Sequence, residues 1–316
     1  MKPHAALSSD IDTLESIYKG RGLRQSEYSH DEFHIGLENF ARFLEPFGVK
    51  ATLFMVGRDL ERPRNAGAAR AMAAAGHEIA NHTYTHAQGF RLLDGNAQER
   101  EIASMEDACI AATGTRPVGF RSPGWNMSDA ALPILERRGY LYDSSINPTA
   151  LTPLLKALHW LSTRRCDAID RTTLGQWDYM FAPARPYRID GRRLARRGTA
   201  RLIEFPLSVV PVVRLPFWAT FLLSTGLDVF RASYRLIRAA GLPIHYEFHL
   251  SDFVDYRAGE LSNQVPTTHD GVYVPKSLRM PLQTKLDIFS RALSMIAADY
   301  DFVTLKQWAT TPVASS

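Results

Sequence analysis

The stretch Lys50-Ala-Thr-Leu-Phe-Met-Val56, the Ala-rich run from about Ala66 to Ala75, and Gly76-His-Glu-Ile-Ala-Asn81 read together as strand, helix, strand. The first run is short and apolar enough for a buried strand, the second suits a helix, and Gly76 stops it. Upstream, Phe33, Leu37, Phe40, Leu44 and Phe47 recur at spacings of four and three on a helix that begins near Asp31 and ends at Gly48, after a first strand at His4 to Ser9. Downstream the alternation continues: a helix near Glu99 to Ala112, a strand at Val118 to Arg121, a helix at Ser128 to Arg138 and a strand at Tyr140 to Ser144. Later strands are predicted at Arg201 to Phe205, Ile244 to His249 and Phe302 to Leu305, with Leu282, Leu286, Phe289, Leu293 and Ile296 on one face of a helix before the last. About eight strand–helix repeats predict an α/β fold, a (β/α)7-8 barrel whose function sits at the carboxyl ends of its strands. The prediction is a single domain over residues 1–316, broken by an irregular Arg-rich excursion at about 150–199.

Of the 316 residues, 45% are hydrophobic and 22% charged, which excludes a disordered chain, and two Cys are too few for a disulfide scaffold. Cys109 and Cys166 have neither C-x-x-C spacing nor related contexts, so a reducing compartment is expected. The polar start Met-Lys-Pro-His-Ala-Ala-Leu-Ser-Ser-Asp lacks the apolar core of a signal peptide, and a cytoplasmic protein is expected, acting there or at the inner face of the membrane. The net charge is +4, but the excess Arg is concentrated in one stretch with no nucleic-acid-reading motif. Nucleic acid is therefore not expected as a partner.

In His82-Thr-Tyr-Thr-His86 two imidazoles lie three residues apart after a strand, a spacing that brings both to one face of a helical turn and onto one metal ion. In isolation the pair also reads as two polar loop histidines. Ser8-Ser-Asp-Ile-Asp12 ends the first strand with two carboxylates, which repel unless a cation or Arg intervenes. One could complete a His-His-Asp metal site and the other take a proton from water; two solvated acids at a strand end are the plainer reading. Phe120-Arg-Ser-Pro-Gly-Trp125 supplies Arg121, able to hold a carboxylate ionised, and Trp125, able to wall a sugar. Asp143 and His249 end later strands, and an Asp beside a His favours the imidazolium needed to protonate a leaving group.

Taken in order, these segments resemble the polysaccharide deacetylase family, the NodB-homology or carbohydrate esterase family 4 group, over Leu7 to about Leu305. Gly76 to His86 is similar to its H-[ST]-x-x-H motif, Phe120 to Trp125 to its R-x-P motif, Asp143-Ser144 to its Asp-containing strand, and Phe248-His249-Leu250 to its late His motif. The resemblance implies a distorted barrel and metal-dependent hydrolysis of an N-acyl amino sugar. It implies Asp12, His82 and His86 as metal ligands, Asp10 as general base oriented by Arg121, and His249 as general acid supported by Asp143. Gly124 and Trp125 are implied at the substrate, with a backbone N–H there sharing the developing negative charge. Zinc is the expected ion, with Co, Ni or Fe also suited to such a site. Many members have two adjacent Asp in the first motif, whereas here Ile11 separates them, as in a D-x-D sub-branch, which leaves the roles of Asp10 and Asp12 exchangeable. Ala87 stands where a Pro often follows the metal motif.

The expected partner is an N-acetylated amino sugar, in a glycan or lipid- or nucleotide-linked. The Arg185, Arg188, Arg192, Arg193, Arg196, Arg197 and Arg201 cluster, with apolar Leu215 to Leu223 after it, reads either as a phosphate-binding, membrane-contacting surface or as a solvated loop and a buried helix. Two other functional readings stand beside the first: a deformylase or other small-molecule C–N hydrolase on the same scaffold, and a non-catalytic carbohydrate-binding barrel.

Overall fold

The computed structural model describes residues 2–19, 29–163, 175–257, 259–265 and 275–311. Its strands are β1 (His4–Ile11), β2 (Thr52–Met55), β3 (Glu78–Asn81), β4 (Gly119–Phe120), β5 (Tyr142–Asp143), β6 (Tyr187–Arg188), β7 (Ile203–Glu204), β8 (Ile244–His249) and β9 (Asp301–Phe302). They lie in the order β6, β7, β5, β4, β3, β2, β1, β8, with β9 paired to His4 and Ala5 of β1. Every pairing is parallel except that of β6 with β7. The sheet curls into a half-barrel, and just past β7 the Ser208 N–H donates to the His245 carbonyl of β8 at 3.1 Å. The expected distorted barrel is thus found, with one antiparallel strand contributed by the excursion.

Strand alternation sorts the side chains. In β1, Ala5, Leu7 and Ile11 join the outer core beneath the helices, while Ala6 joins the cluster inside the sheet with Phe54, Tyr142 and Phe205. The helices Asp31–Leu44 and Leu282–Asp299 close over β8 through Phe40, Phe43, Phe248, Phe253 and Phe289. Phe40 and Phe253 have ring centres 4.5 Å apart and Phe248 and Phe289 5.1 Å, contacts worth about 0.5–1.5 kcal/mol each beyond their burial. Asp94 caps the helix Gly95–Thr113 by accepting from Ala97 N–H, and Gly114 ends it at φ 72°.

Two expectations change, and one pair of alternatives is decided. The final strand stops at Phe302, because Thr304 caps a helix from Leu305: its hydroxyl accepts from Gln307 N–H (3.2 Å) and Gln307 Oε1 accepts from Thr304 N–H (2.9 Å). The excursion is not irregular throughout, for it contains the helix Thr152–Thr163 and β6. Of the two readings of Leu215 to Leu223, the structure has the buried one: Phe217, Trp218, Ala219 and Leu222 are buried, and Phe217 stacks on Phe230 with ring centres 4.8 Å apart. The seven arginines from Arg185 to Arg201 are all exposed. Cys109 is buried as a free thiol, pushed up to about 11 by that burial, and Cys166 lies outside the described residues.

Candidate metal and catalytic site

The strand period explains why Asp10 and Asp12 act on one site although Ile11 separates them. Ile11 enters the outer core, so residues two apart at the end of β1 both face inward. β8 repeats the device: Ile244, Tyr246 and Phe248 pack outward, leaving His245, Glu247 and His249 facing in. Asp10 is in register with His249 on one side and Phe54 on the other.

Asp12, His82 and His86 are buried and offer ligand atoms that all lie within 4.8 Å of one another. His86 Nε2 is 3.6 Å from Asp12 Oδ2, and the two imidazole ring centres are 5.1 Å apart. His82 Nδ1 lies 2.8 Å from the Arg121 carbonyl; donating there, it leaves the Nε2 lone pair for the site. Burial lowers the pKa of His82 and so favours this neutral form.

No helical turn brings the imidazoles together, contrary to the expectation from their spacing. Residues 82–86 form a loop in which Thr83 (φ 64°) and His86 (φ 57°) take left-handed conformations, costly for non-glycine residues. Glu101 holds this loop in place, accepting from Tyr84 N–H (3.0 Å), Thr85 N–H (2.9 Å) and the Thr85 hydroxyl (2.8 Å). Ala87 N–H donates to Thr83 Oγ1 at 3.2 Å, a bond that a Pro at this position would lack.

These residues fit a divalent cation. Asp12 Oδ1 is buried without a hydrogen-bond partner, and burial, with Asp10 nearby, pushes the Asp12 carboxyl up to about 7 against the pull of His249. A carboxylate in such a place gains most from a cation, and the imidazole and carboxylate donors suit zinc and its neighbours.

Beside the three lies a buried charge network. Arg121 donates from one terminal nitrogen to Asp10 Oδ1 (2.6 Å) and Glu247 Oε1 (2.8 Å), from the other to Ser8 Oγ (3.0 Å) and Ser144 Oγ (2.9 Å), and from Nε to Ser144 O (2.9 Å). Its guanidinium also lies 4.1 Å from the centre of the Phe54 ring. Burial alone would raise Asp10, but Arg121, then His82 and His249, hold it below the usual carboxylate value. Its Oδ2 lies 3.7 Å from His82 Nε2, so an ionised carboxylate borders the ligand cluster. Glu247 goes the other way, to about 7, because burial and Asp10 outweigh Arg121.

His249 is raised to about 9: burial opposes its charge, but Glu247, then Asp12, Asp10 and Asp252, more than offset it. Asp252 also accepts from His249 N–H at 2.9 Å. Asp143 does not support His249. Tyr142 and Ser144 face into the barrel, so Asp143 between them faces away; it accepts from Ser145 N–H (3.0 Å) and Oγ (2.9 Å) and pairs with Glu204. Trp125 (φ 54°) follows Gly124 (φ 59°) and lies against Trp218 with ring centres 5.6 Å apart. Its backbone N–H donates to Ser122 O (3.0 Å) and is not free to share negative charge on a substrate. Its indole Nε1 and Glu247 Oε2 are both buried, and the indole N–H is near enough to Glu247 to favour the ionised carboxylate.

Glu247, Ser8, Ser144, His245 and Glu101 escaped the sequence reading. The alternation Ile244-His-Tyr-Glu-Phe-His249 carried the signal for Glu247 and His245, and Ser8 shares the parity of Asp10 and Asp12. For Glu101, on the outer helix Gly95–Thr113, no local pattern exists.

The polysaccharide deacetylase family model matches residues 35–142, which hold His82, His86 and Arg121 but neither Asp10 and Asp12 nor His249. Peptidoglycan deacetylase-like protein FGM2 of Gibberella zeae is 34% identical over 150 residues, 45% of this chain and 43% of that protein. Peptidoglycan deacetylase of Helicobacter pylori is 24% identical over 119 residues, 38% of this chain and 40% of that protein. The chain thus matches less than half the length of these relatives. In fold it is similar to a Mycobacterium smegmatis protein described as a polysaccharide deacetylase (TM-score 0.60, 20% identity, 98% of this chain and 89% of the other). It is also similar in fold to the PuuE allantoinase (TM-score 0.56, 15% identity, 98% and 92%).

Proposed function

We propose, from its similarity to the polysaccharide deacetylase family over residues 35–142, that this chain is a metal-dependent hydrolase that removes an N-acyl group, most simply acetyl, from an amino sugar in a glycan or glycolipid. The observation that carries the reading is the convergence of Asp12, His82 and His86 beside Asp10, whose carboxylate Arg121 keeps ionised. Asp12, His82 and His86 hold the cation, proposed as zinc. A divalent ion in that position supplies Lewis acidity, polarising the acyl oxygen and making water more acidic.

The remaining work falls to the chain's own groups. Asp10 takes the proton from the attacking water, and Arg121 fixes its orientation through Oδ1. His249, raised to about 9, holds the proton that the departing nitrogen needs. Gly124 supplies the backbone N–H toward the developing oxyanion, and Trp125 walls the sugar. The proposal extends to a cytoplasmic place of action, in keeping with the free thiol of Cys109, and to a lipid- or nucleotide-linked amino sugar as substrate.

The test is elemental analysis combined with acyl release from free, nucleotide-linked and lipid-linked N-acetyl amino sugars. His82→Ala and His86→Ala each lose the bound metal and the activity while the circular dichroism spectrum is retained. Full metal occupancy in both variants removes the site.

A further inference from the structure

Seven of the eleven exposed large apolar side chains among the described residues fall between Leu154 and Val213. Leu154, Leu158 and Leu161 form one stripe along the helix Thr152–Thr163. Trp177 is 59% exposed, Phe181 77% and Val212 96%. Hydrogen bonds hold these pieces as one surface. Lys156 Nζ donates to Gly175 O (2.7 Å) and lies 5.8 Å from the Trp177 ring centre, tying the helix to the turn Trp177–Phe181. Arg214 donates to Pro148 O (2.8 Å) and Ala182 O (2.5 Å), and its carbonyl accepts from Ala150 N–H (3.0 Å) and the Thr149 hydroxyl (2.9 Å). That fastens the Val212–Val213 turn to Phe181 and to the start of the helix.

The turn Trp177–Phe181 is tied to the segment that carries Trp125, since the Tyr179 hydroxyl donates to Met127 O at 3.2 Å. Val212 is β-branched at φ 66°, a costly conformation that yields no burial within the chain. The charge is as uneven as the hydrophobicity. Ala150 to Arg214 carries 12 Lys and Arg against 5 Asp and Glu, in a chain with 37 against 33, so the remainder is net negative. A second copy of this face would meet its own positive charge, whereas an anionic bilayer complements both features. No helix among the described residues is long and apolar enough to cross a membrane, so the contact is with its surface.

We propose that this face docks on an anionic lipid bilayer, with Leu154, Leu158, Trp177, Phe181 and Val212 entering the headgroup boundary and the Arg-rich loop held by anionic headgroups. The test is co-sedimentation of the full chain with phosphatidylcholine vesicles, with and without phosphatidylglycerol. It reads binding alone and is independent of the hydrolase reading.

Wild type sediments with the anionic vesicles at low salt and is released at high salt. A Trp177→Ser, Phe181→Ser, Val212→Ser variant, altered only at exposed positions, keeps the wild-type melting curve and loses about tenfold in vesicle affinity. Replacing Arg192, Arg193, Arg196 and Arg197 by Ala weakens binding to the anionic vesicles selectively. The proposal is overturned if wild type fails to bind anionic vesicles at low salt, or if the apolar variant binds as well as wild type. It is equally overturned if light scattering finds a dimer that the apolar variant breaks while vesicles are ignored, which assigns the face to a second copy.

Discussion

Arg121 has no exposed surface and bridges Asp10 and Glu247, so one guanidinium serves two buried carboxylates. It gives Asp10 and Asp12 different environments although they are two residues apart. Asp10 is held ionised, whereas Asp12 retains an unbonded buried oxygen and rises to about 7. The expected outcome is a split between metal content and rate. Asp12→Asn loses the metal, while Asp10→Asn keeps it and slows acyl release by about 10²–10⁴-fold, the usual worth of a positioned base. Elemental analysis alongside acyl release checks this, and the opposite pattern exchanges the two roles. Both residues were legible in the sequence because strand parity is local. Asp143 was misread for the same reason: its parity, opposite to that of Tyr142 and Ser144, turns it to Ser145 and Glu204, but which face was inward depended on the rest of the sheet.

The element that shapes the metal ligands is the loop from His82 to His86, which spacing alone assigned to a helical turn. Its two left-handed residues persist because Glu101, on a different element, takes three of its donors. Glu101→Ala therefore leaves the fold intact but lets the loop relax, and metal affinity falls about 10–100-fold, as when a group that orients a ligand is removed. A competitive chelator titration reads this, and an affinity equal to wild type assigns the loop geometry to its own sequence. The helix Leu305–Thr310 teaches a related lesson. Its capping box, Thr304 with Gln307, is visible in the sequence, but the apolar neighbours Phe302 and Leu305 suggested a longer strand.

Across the whole molecule, stability depends on acids buried beneath the site. Glu32 accepts from Leu14 N–H (2.7 Å) and the Tyr256 hydroxyl (2.7 Å), joining the segment after β1 to a distant loop. Burial pushes its carboxyl from 4.5 up to about 8. Below 4.5 both folded and unfolded chains hold this proton, so the stabilisation is complete. As pH rises toward about 8 the unfolded chain alone releases the proton, and folding loses a few kcal/mol, order of magnitude, before levelling off. Glu32→Gln keeps an acceptor for Leu14 and a donor for Tyr256 without the charge. Its urea-unfolding free energy, measured against wild type from pH 4 to 9, gains progressively as pH rises, and a flat difference refutes the account.

Local neighbours alone set the alternation of strands and helices, the shared parity of Asp10 and Asp12, and the presence of ligand-type side chains at strand ends, since these depend on residues a few positions away. Only the tertiary structure decided that Arg121 joins Asp10 to Glu247, that Leu215 to Leu223 is core, and that Leu154 to Val213 carries the exposed apolar face. Burial and charge pairing are settled by what the other strands bring to the same place, and no local pattern encodes that.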